Sequence, residues 1–556
     1  MYFSGPLIYQ KKTLFMKRRS FLTTATLASA GLTTMLITSC TSNSKKDEDA
    51  VPHKDSNAIF ELDEETIVSL REKLSSGKYT SQQLVELYLK RIESIDQKGA
   101  NLNSIIEINP DAIAIAVAMD KELKAGKIRS SLHGIPVLIK DNIDTADKMQ
   151  TTAGSLAMLG NIASNDAFVV AKLRAAGAII IGKTNLSEWA NFRSTQSSSG
   201  WSSRGGQSKN PYILDHNPCG SSAGSGVAVS ANLCVVAIGT ETDGSIVCPA
   251  SVNGIVGIKP TVGLVSRSGI IPISKTQDTA GPMARTVTDA AILLQAIVGV
   301  DQNDDVTLES IGKIKKDYTG FLDTNALKGK RIGIERKPQG NNKNINILLK
   351  ETLDLLKMKG ATIVEIDYIE KINALGEAEF EVLQYEFKDG LNKYLSTSNA
   401  KVKNLTDVIN FNNTNEEKAM PYCKQETLES SNEKKGLDDK KYLKSLTASF
   451  EGSKSILNAV FEENNLDAIC GITLGPSCSI DVIYGDKWGS YSLTSPAAMS
   501  GYPHITIPCG QAHDLPVGFS FFGKPYTEGE LIGLGYAYEQ ASKKRVKPGL
   551  KPSFLL

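Results

Sequence analysis

Between residues 80 and 95 the apolar positions Leu84, Leu87, Tyr88, Ile92 and Ile95 recur at helical spacing. They follow Thr80-Ser81-Gln82-Gln83, which has the form of a capping box, so an amphipathic helix is predicted. From about residue 130 to 290 the texture changes to short apolar runs cut by Gly, Ser and Pro. Residues 135–139, 178–181 and 235–238 contain no polar side chain and predict strands buried on both faces, in a sheet covered by helices. Thr286-Val287-Thr288-Asp289 caps a further helix through Ala290, Leu293, Leu294 and Ile297, and Lys330-Arg331-Ile332-Gly333-Ile334 opens another strand–helix alternation. Strand texture returns at residues 505–508 and 517–523.

Before that return, residues about 395 to 447 are polar and charge-dense, with Glu433-Lys434-Lys435 and Asp438-Asp439-Lys440-Lys441. This stretch reads as a solvated helical insertion, with disorder as the alternative. No internal repeat at solenoid periods is present. Because sheet texture resumes afterwards, the expected fold class is α/β: a single large domain with a mixed central β-sheet covered by helices on both faces. Its expected extent is 58–550, with a catalytic core at about 130–290 and the insertion at about 380–460.

Composition narrows the function. The 556 residues are 41% hydrophobic and 22% charged, which is ordinary for a globular chain and excludes a disordered or collagen-like one. Lys+Arg of 62 against Asp+Glu of 61 provides no field to draw nucleic acid. Eight cysteines are too sparse for a disulfide scaffold, and no CxxC pair stands ready for zinc. Any histidine base must be His53, His133, His216, His504 or His513.

The start of the chain reads as an address. Met16-Lys17-Arg18-Arg19-Ser20-Phe21-Leu22 opens an uncharged stretch ending at Ile37-Thr38-Ser39-Cys40. A basic end, an apolar stretch and small residues before a cut make an export signal over 1–40. Its paired arginines resemble a twin-arginine signal starting at Met16, and its end resembles a lipoprotein box in which Cys40 takes lipid. An uncleaved anchor is the alternative. Residues 41–57 read as a flexible tether. The expected location is therefore exported, periplasmic or held to a membrane only through an N-terminal lipid anchor.

Two motifs point to chemistry that their context does not support. Gly177-Ala178-Ile179-Ile180-Ile181-Gly182-Lys183-Thr184 satisfies the P-loop spacing, yet its middle residues form a β-branched run that favours burial over a phosphate cradle. Gly220-Ser221-Ser222-Ala223-Gly224 satisfies G-x-S-x-G, which would make Ser222 the nucleophile of an α/β-hydrolase-type esterase with His504 or His513. A proline-broken loop, residues 210–219, precedes it where that elbow needs a strand.

Three other segments combine into a site. Lys140 closes an apolar strand and is followed by Asp141-Asn142. Residues 219–226 are a Gly/Ser loop leading into a small-residue helix over 227–233, and residues 239–246 follow the strand at 235–238. Burial at a strand end disfavours an ammonium, so Lys140 can act as a base near neutral pH if its pKa falls from about 10.4 toward 7. A Gly-rich turn before Ser245 lets successive N–H groups converge on a developing oxyanion.

These segments resemble the amidase signature family over about residues 60 to 545. The likeness extends through residues 182–192, Pro249-Ala250-Ser251-Val252-Asn253-Gly254, Gly257-Ile258-Lys259-Pro260-Thr261, residues 278–285 and Leu515-Pro516-Val517-Gly518. The resemblance implies a Ser–Ser–Lys triad: Lys140 as general base, Ser221 as bridge after a cis Gly220–Ser221 bond, and Ser245 as acyl-accepting nucleophile. It implies an oxyanion hole of the Thr242, Asp243, Gly244 and Ser245 N–H groups, with Gly220, Ser222 and Asn142 in support. The implied activity is hydrolysis of carboxylic amides through an acyl-enzyme, without metal or organic cofactor, on a small amide or amidated peptide and with no nucleic-acid partner.

The chain departs from the family's commonest form at two places: Asp243 where many members have Gly, and Val247 where many have Arg. Loss of that cation removes a carboxylate clamp and weighs against glutamine-dependent transamidation. Residues 240–249 instead resemble the bacterial peptide-amidase branch, which removes C-terminal peptide amides. A surface binding lipoprotein without catalysis is the rival from another class. Cys470 and Cys478 are read as free thiols over a bridge, and Trp189 and Phe192 as core. Glu241 and Asp243 are read as mattering through their backbone more than their charge, and Asp141 and Asn142 as either orienting Lys140 or capping local backbone.

Overall fold

Eleven strands build one sheet. In chain order they are β1 (Ile105–Ile108), β2 (Pro136–Lys140), β3 (Ile179–Thr184), β4 (Val236–Glu241), β5 (Val256–Lys259) and β6 (Thr279–Ala284). Then come β7 (Arg331–Glu335), β8 (Thr362–Ile366), β9 (Ala468–Ile472), β10 (His504–Ala512) and β11 (Leu515–Phe522). The spatial order is β1-β3-β2-β4-β6-β5-β10-β11-β9-β7-β8. The trio β3-β2-β4 is parallel, as is β9-β7-β8, and the pairings between the trios are antiparallel. The sheet is therefore mixed, as the expected fold class has it. This computed structural model describes residues 60–337 and 339–554. The export signal and lipoprotein box expected over 1–40, and the tether expected over 41–57, lie outside the described residues.

Apolar runs become central strands because only a doubly covered sheet gives them burial on both faces. All five residues of β2 and all six of β3 and β4 are buried. The P-loop-like run thus lies on a buried strand and its N–H groups are committed to a ladder. The helix Ser81–Arg91 carries the expected capping box at Thr80, and Thr286 caps Val287–Ile297. The small-residue helix differs from expectation: it runs Ala223–Ser230, starting four residues earlier, directly after Ser222. With no bulky side chain on this helix, the backbone packs closely; a Cβ on Gly224 would lie 2.3 Å from Ser104 O.

The polar stretch is helical, with helices Gly376–Thr397, Leu405–Thr414, Glu426–Asn432 and Lys440–Leu446. It is less solvated than its charge density suggests. Leu383, Phe387, Leu391 and Leu395 pack with Trp189 and Phe192 in a second apolar cluster. Trp189 and Phe192 are core, as expected. Among the described residues no helix is long and apolar enough to cross a membrane.

Candidate active site

Strands β2 and β4 run side by side in parallel, with Ile139 opposite Ile238, so both deliver their C-terminal residues to one edge of the sheet. Open parallel sheets place their chemistry at that edge. Lys140 ends β2 and is fully buried. Its Nζ lies 2.7 Å from Ser221 Oγ, 2.8 Å from Thr240 Oγ1 and 3.2 Å from Thr240 O. Burial pulls its pKa down to about 7; the negative charges of Asp278 and Glu241 oppose this only in part. Asn142 Nδ2 donates to the same Thr240 hydroxyl at 3.0 Å, so Asn142 orients the partner of the lysine. Asp141 is the capping member of the pair, accepting from the Thr152 hydroxyl and the Gly154 N–H.

Ser221 sits after a cis peptide bond to Gly220. A side chain at 220 is impossible without rearrangement, because its Cβ would lie 2.2 Å from Ser187 Oγ. Ser222 is not aimed at any histidine. Its Oγ donates to Thr240 O at 2.9 Å and accepts from Thr240 N at 3.1 Å, pinning the Gly/Ser loop to β4. His504 is hydrogen-bonded to Ser520, and His513 to Asn344. The elbow geometry required by an α/β-hydrolase-type esterase is thus not assembled.

Ser245 lies on the turn that leaves β4, and its carbonyl accepts from Ser222 N at 3.1 Å, bringing the two serine segments together. Its hydroxyl makes no hydrogen bond among the described residues. Gly244 takes φ +76°, a left-handed conformation natural to glycine, which turns the chain sharply into the helix Val247–Val252. The N–H groups of Asp243, Gly244 and Ser245 find no acceptor among the described residues. Successive unpaired donors at a turn are the raw material of an anion-binding concavity. Thr242 is tied on both sides: its hydroxyl donates to Asp278 Oδ1 at 2.5 Å and its carbonyl accepts from Gln277 Nε2 at 3.3 Å.

The side chains of Glu241 and Asp243 have partners of their own, in addition to the backbone on which the sequence reading lays the weight. Glu241 Oε2 accepts from Ile246 N at 2.7 Å and Val247 N at 2.9 Å, clasping the turn across its mouth. That carboxylate holds backbone donors, the use open to an acid at a helix start. Asp243 Oδ2 accepts from Ser495 Oγ at 2.7 Å. Cys219 and Cys248 pack with Val252, Leu474 and Trp488 as an apolar wall beside the two serine segments, and the described cysteines, Cys470 and Cys478 among them, are free thiols. Val247 is buried and brings no cation. A cavity of about 260 Å³ opens beside Asn142, Thr240 and Asp278, on the lysine side of the site.

Sequence reasoning missed Thr240, Gln277 and Glu379. Thr240 stands inside a motif quoted above and Gln277 directly before another; Glu379 lies in the insertion, where no local pattern marks it.

The sequence pattern of the family described as Amidase matches residues 83–532. The chain belongs to the amidase signature family. A probable amidase of Arabidopsis thaliana is 42% identical, over 88% of this chain and 93% of its own length. Native peptide amidase from Stenotrophomonas maltophilia, a solved structure, is 45% identical with a TM-score of 0.85, covering 88% of this chain and 99% of that one. A putative amidase of Schizosaccharomyces pombe is 37% identical over 88% of this chain and 87% of its own length. As a member of the amidase signature family, the protein is a hydrolase of amides.

Proposed function

We propose that this amidase works through a Ser245–Ser221–Lys140 triad and an acyl-enzyme. One observation carries the reading: a lysine amine with no solvent exposure, its pKa near 7, stands 2.7 Å from the Ser221 hydroxyl. A neutral amine has two hydrogens and one lone pair. Thr240 O and Thr240 Oγ1 take the two hydrogens, which leaves the lone pair for the Ser221 O–H. The base is thereby aimed by counting donors and acceptors.

In the reaction, Ser245 Oγ forms a bond to the amide carbonyl carbon as its proton passes to Ser221 Oγ, while the Ser221 proton passes to Lys140 Nζ. The carbonyl oxygen becomes an oxyanion facing the N–H groups of the 242–245 turn. Collapse breaks the C–N bond, and the proton returns by the same route to the leaving nitrogen, releasing ammonia or an amine. Water then repeats the sequence on the ester, freeing the acid and Ser245.

The substrate class we propose is the C-terminal amide of peptides, with other acyl amides tolerated. The likeness to a peptide amidase supports this, as does Val247 in place of a carboxylate-clamping arginine. We further propose that the protein is exported and lipid-anchored at Cys40, on the strength of the Arg18-Arg19 and Ile37-Thr38-Ser39-Cys40 signals. Ammonia release from amidated dipeptides, fatty-acyl amides and free glutamine tests the substrate; Ser245→Ala tests the mechanism and should abolish turnover. Full activity in that variant would refute the triad.

A further inference from the structure

Glu379 lies on the first helix of the insertion, Gly376–Thr397, yet its side chain is buried against the turn that carries Ser245. Gln277 Nε2 donates to Glu379 Oε1 at 2.8 Å and to Thr242 O at 3.3 Å, committing both its amide hydrogens. The Glu379 carboxyl is also in hydrogen-bond contact with the Asp243 carboxyl. Asp243 Oδ2 is held by Ser495, whereas Asp243 Oδ1 is buried with no ordinary donor facing it. Two touching carboxylates cannot both be ionised, and a proton on one supplies the missing donor to the other.

We propose that Glu379 is a positioning residue for the oxyanion turn, acting as a neutral carboxylic acid that donates to Asp243 and accepts from Gln277. It fixes Thr242 and Asp243 from behind and joins the insertion to the catalytic loop. The proposal rests on the triad reading above and adds to it a role for the aspartate side chain at 243. Burial and the Asp243 charge both push the Glu379 pKa well up, which favours its protonated form. The other titratable groups facing the pair are Glu241 at the end of β4, Lys259 at the end of β5 and Cys248 on the helix Val247–Val252.

The sign of the pH effect follows. Lys140 must be neutral, so activity rises with pH through about 7. Once Glu379 ionises, a second negative charge lies behind the turn, opposes the developing oxyanion and breaks the bond to Asp243. Activity therefore falls again at higher pH.

The experiment measures kcat and KM against pH for ammonia release from an N-blocked dipeptide amide, using the full chain. Glutamine keeps a donor and an acceptor but cannot ionise. Glu379→Gln is expected to hold kcat at the optimum within about threefold of the parent and to lose the alkaline fall, while keeping the limb near 7. Glu379→Ala is expected to lower kcat by about tenfold or more with KM changed less than about threefold. Asp243→Asn removes the neighbouring charge, so the alkaline fall should move to lower pH; this variant keeps the test open where Glu379→Ala does not fold. An unchanged alkaline fall in Glu379→Gln, with Ser245→Ala inactive, overturns the role of Glu379 alone. An active Ser245→Ala overturns the triad reading whatever the profile of Glu379→Gln.

Discussion

Lys140 and Lys183 sit near the ends of neighbouring parallel strands, paired through Lys140 opposite Thr184, and both are fully buried. Burial lowers the pKa of each. Their surroundings then separate them. Lys183 Nζ donates to Ile143 O and to Thr151 Oγ1 at 3.0 Å, with Asp141 and Asp144 favouring its charge. Lys140 faces one serine hydroxyl, one threonine hydroxyl and one carbonyl, and fewer acids, Asp278 and Glu241, act on it. Desolvation makes a lysine available as a base, but its acceptors decide whether it becomes one. Four acids favour the charge on Lys183, whereas Lys140 meets the Ser221 hydroxyl, as the base of the proposed triad requires.

That contrast can be broken experimentally. The largest expected effect is on Lys140→Met, which should lower kcat by about a thousandfold or more in an ammonia-release assay, because removing a general base forfeits most of its contribution. Lys183→Met should instead act on the fold. Denaturant unfolding should show a loss of about 1–3 kcal/mol, because the buried Ile143 carbonyl and Thr151 hydroxyl lose their donor, with kcat per folded molecule reduced far less than in Lys140→Met. Ser222→Ala unpins the Gly/Ser loop from Thr240 and should cost about 1–2 kcal/mol of stability, with turnover mostly kept. The smallest effect is expected for His504→Ala. The acid limb of kcat/KM near pH 7 should stay in place, because His504, pulled down to about 3 by burial, cannot be its source. A limb that vanished with His504 would return the chemistry to a histidine.

How much of this was readable beforehand depends on the range of the interaction. Strands β2, β3 and β4 were legible because uninterrupted apolar runs have one good home, a doubly covered sheet. Lys140, Ser221 and Ser245 stand out in sequence because each belongs to a contiguous motif, and the structure brings Lys140 Nζ within 2.7 Å of Ser221 Oγ. Thr240 was overlooked although it lies in such a motif, since nothing local distinguishes a threonine that accepts from a lysine 100 residues away from one that faces solvent. Glu379 was illegible for a stronger reason. Its partner Gln277 is 102 residues distant, and the polar helices around it suggested solvent, while the burial of Leu383 and Phe387 comes from Trp189 and Phe192. The side-chain role of Glu241 is not legible, because a carboxylate that clasps its own turn looks, in sequence, like any acid in a loop.

The amine that stands uncharged at the end of β2 also leaves a mark on unfolding. Between pH of about 7 and the ordinary lysine range, the folded chain keeps it bare while the unfolded chain binds a hydrogen ion there. Melting this protein in a weak buffer at a pH of about 8.5 should therefore draw hydrogen ions from solution, and the heat absorbed should vary with the ionisation enthalpy of the buffer. Replacing Lys140 with methionine should reduce that uptake by about one ion per molecule, a calorimetric signature of the poised base that needs no substrate at all.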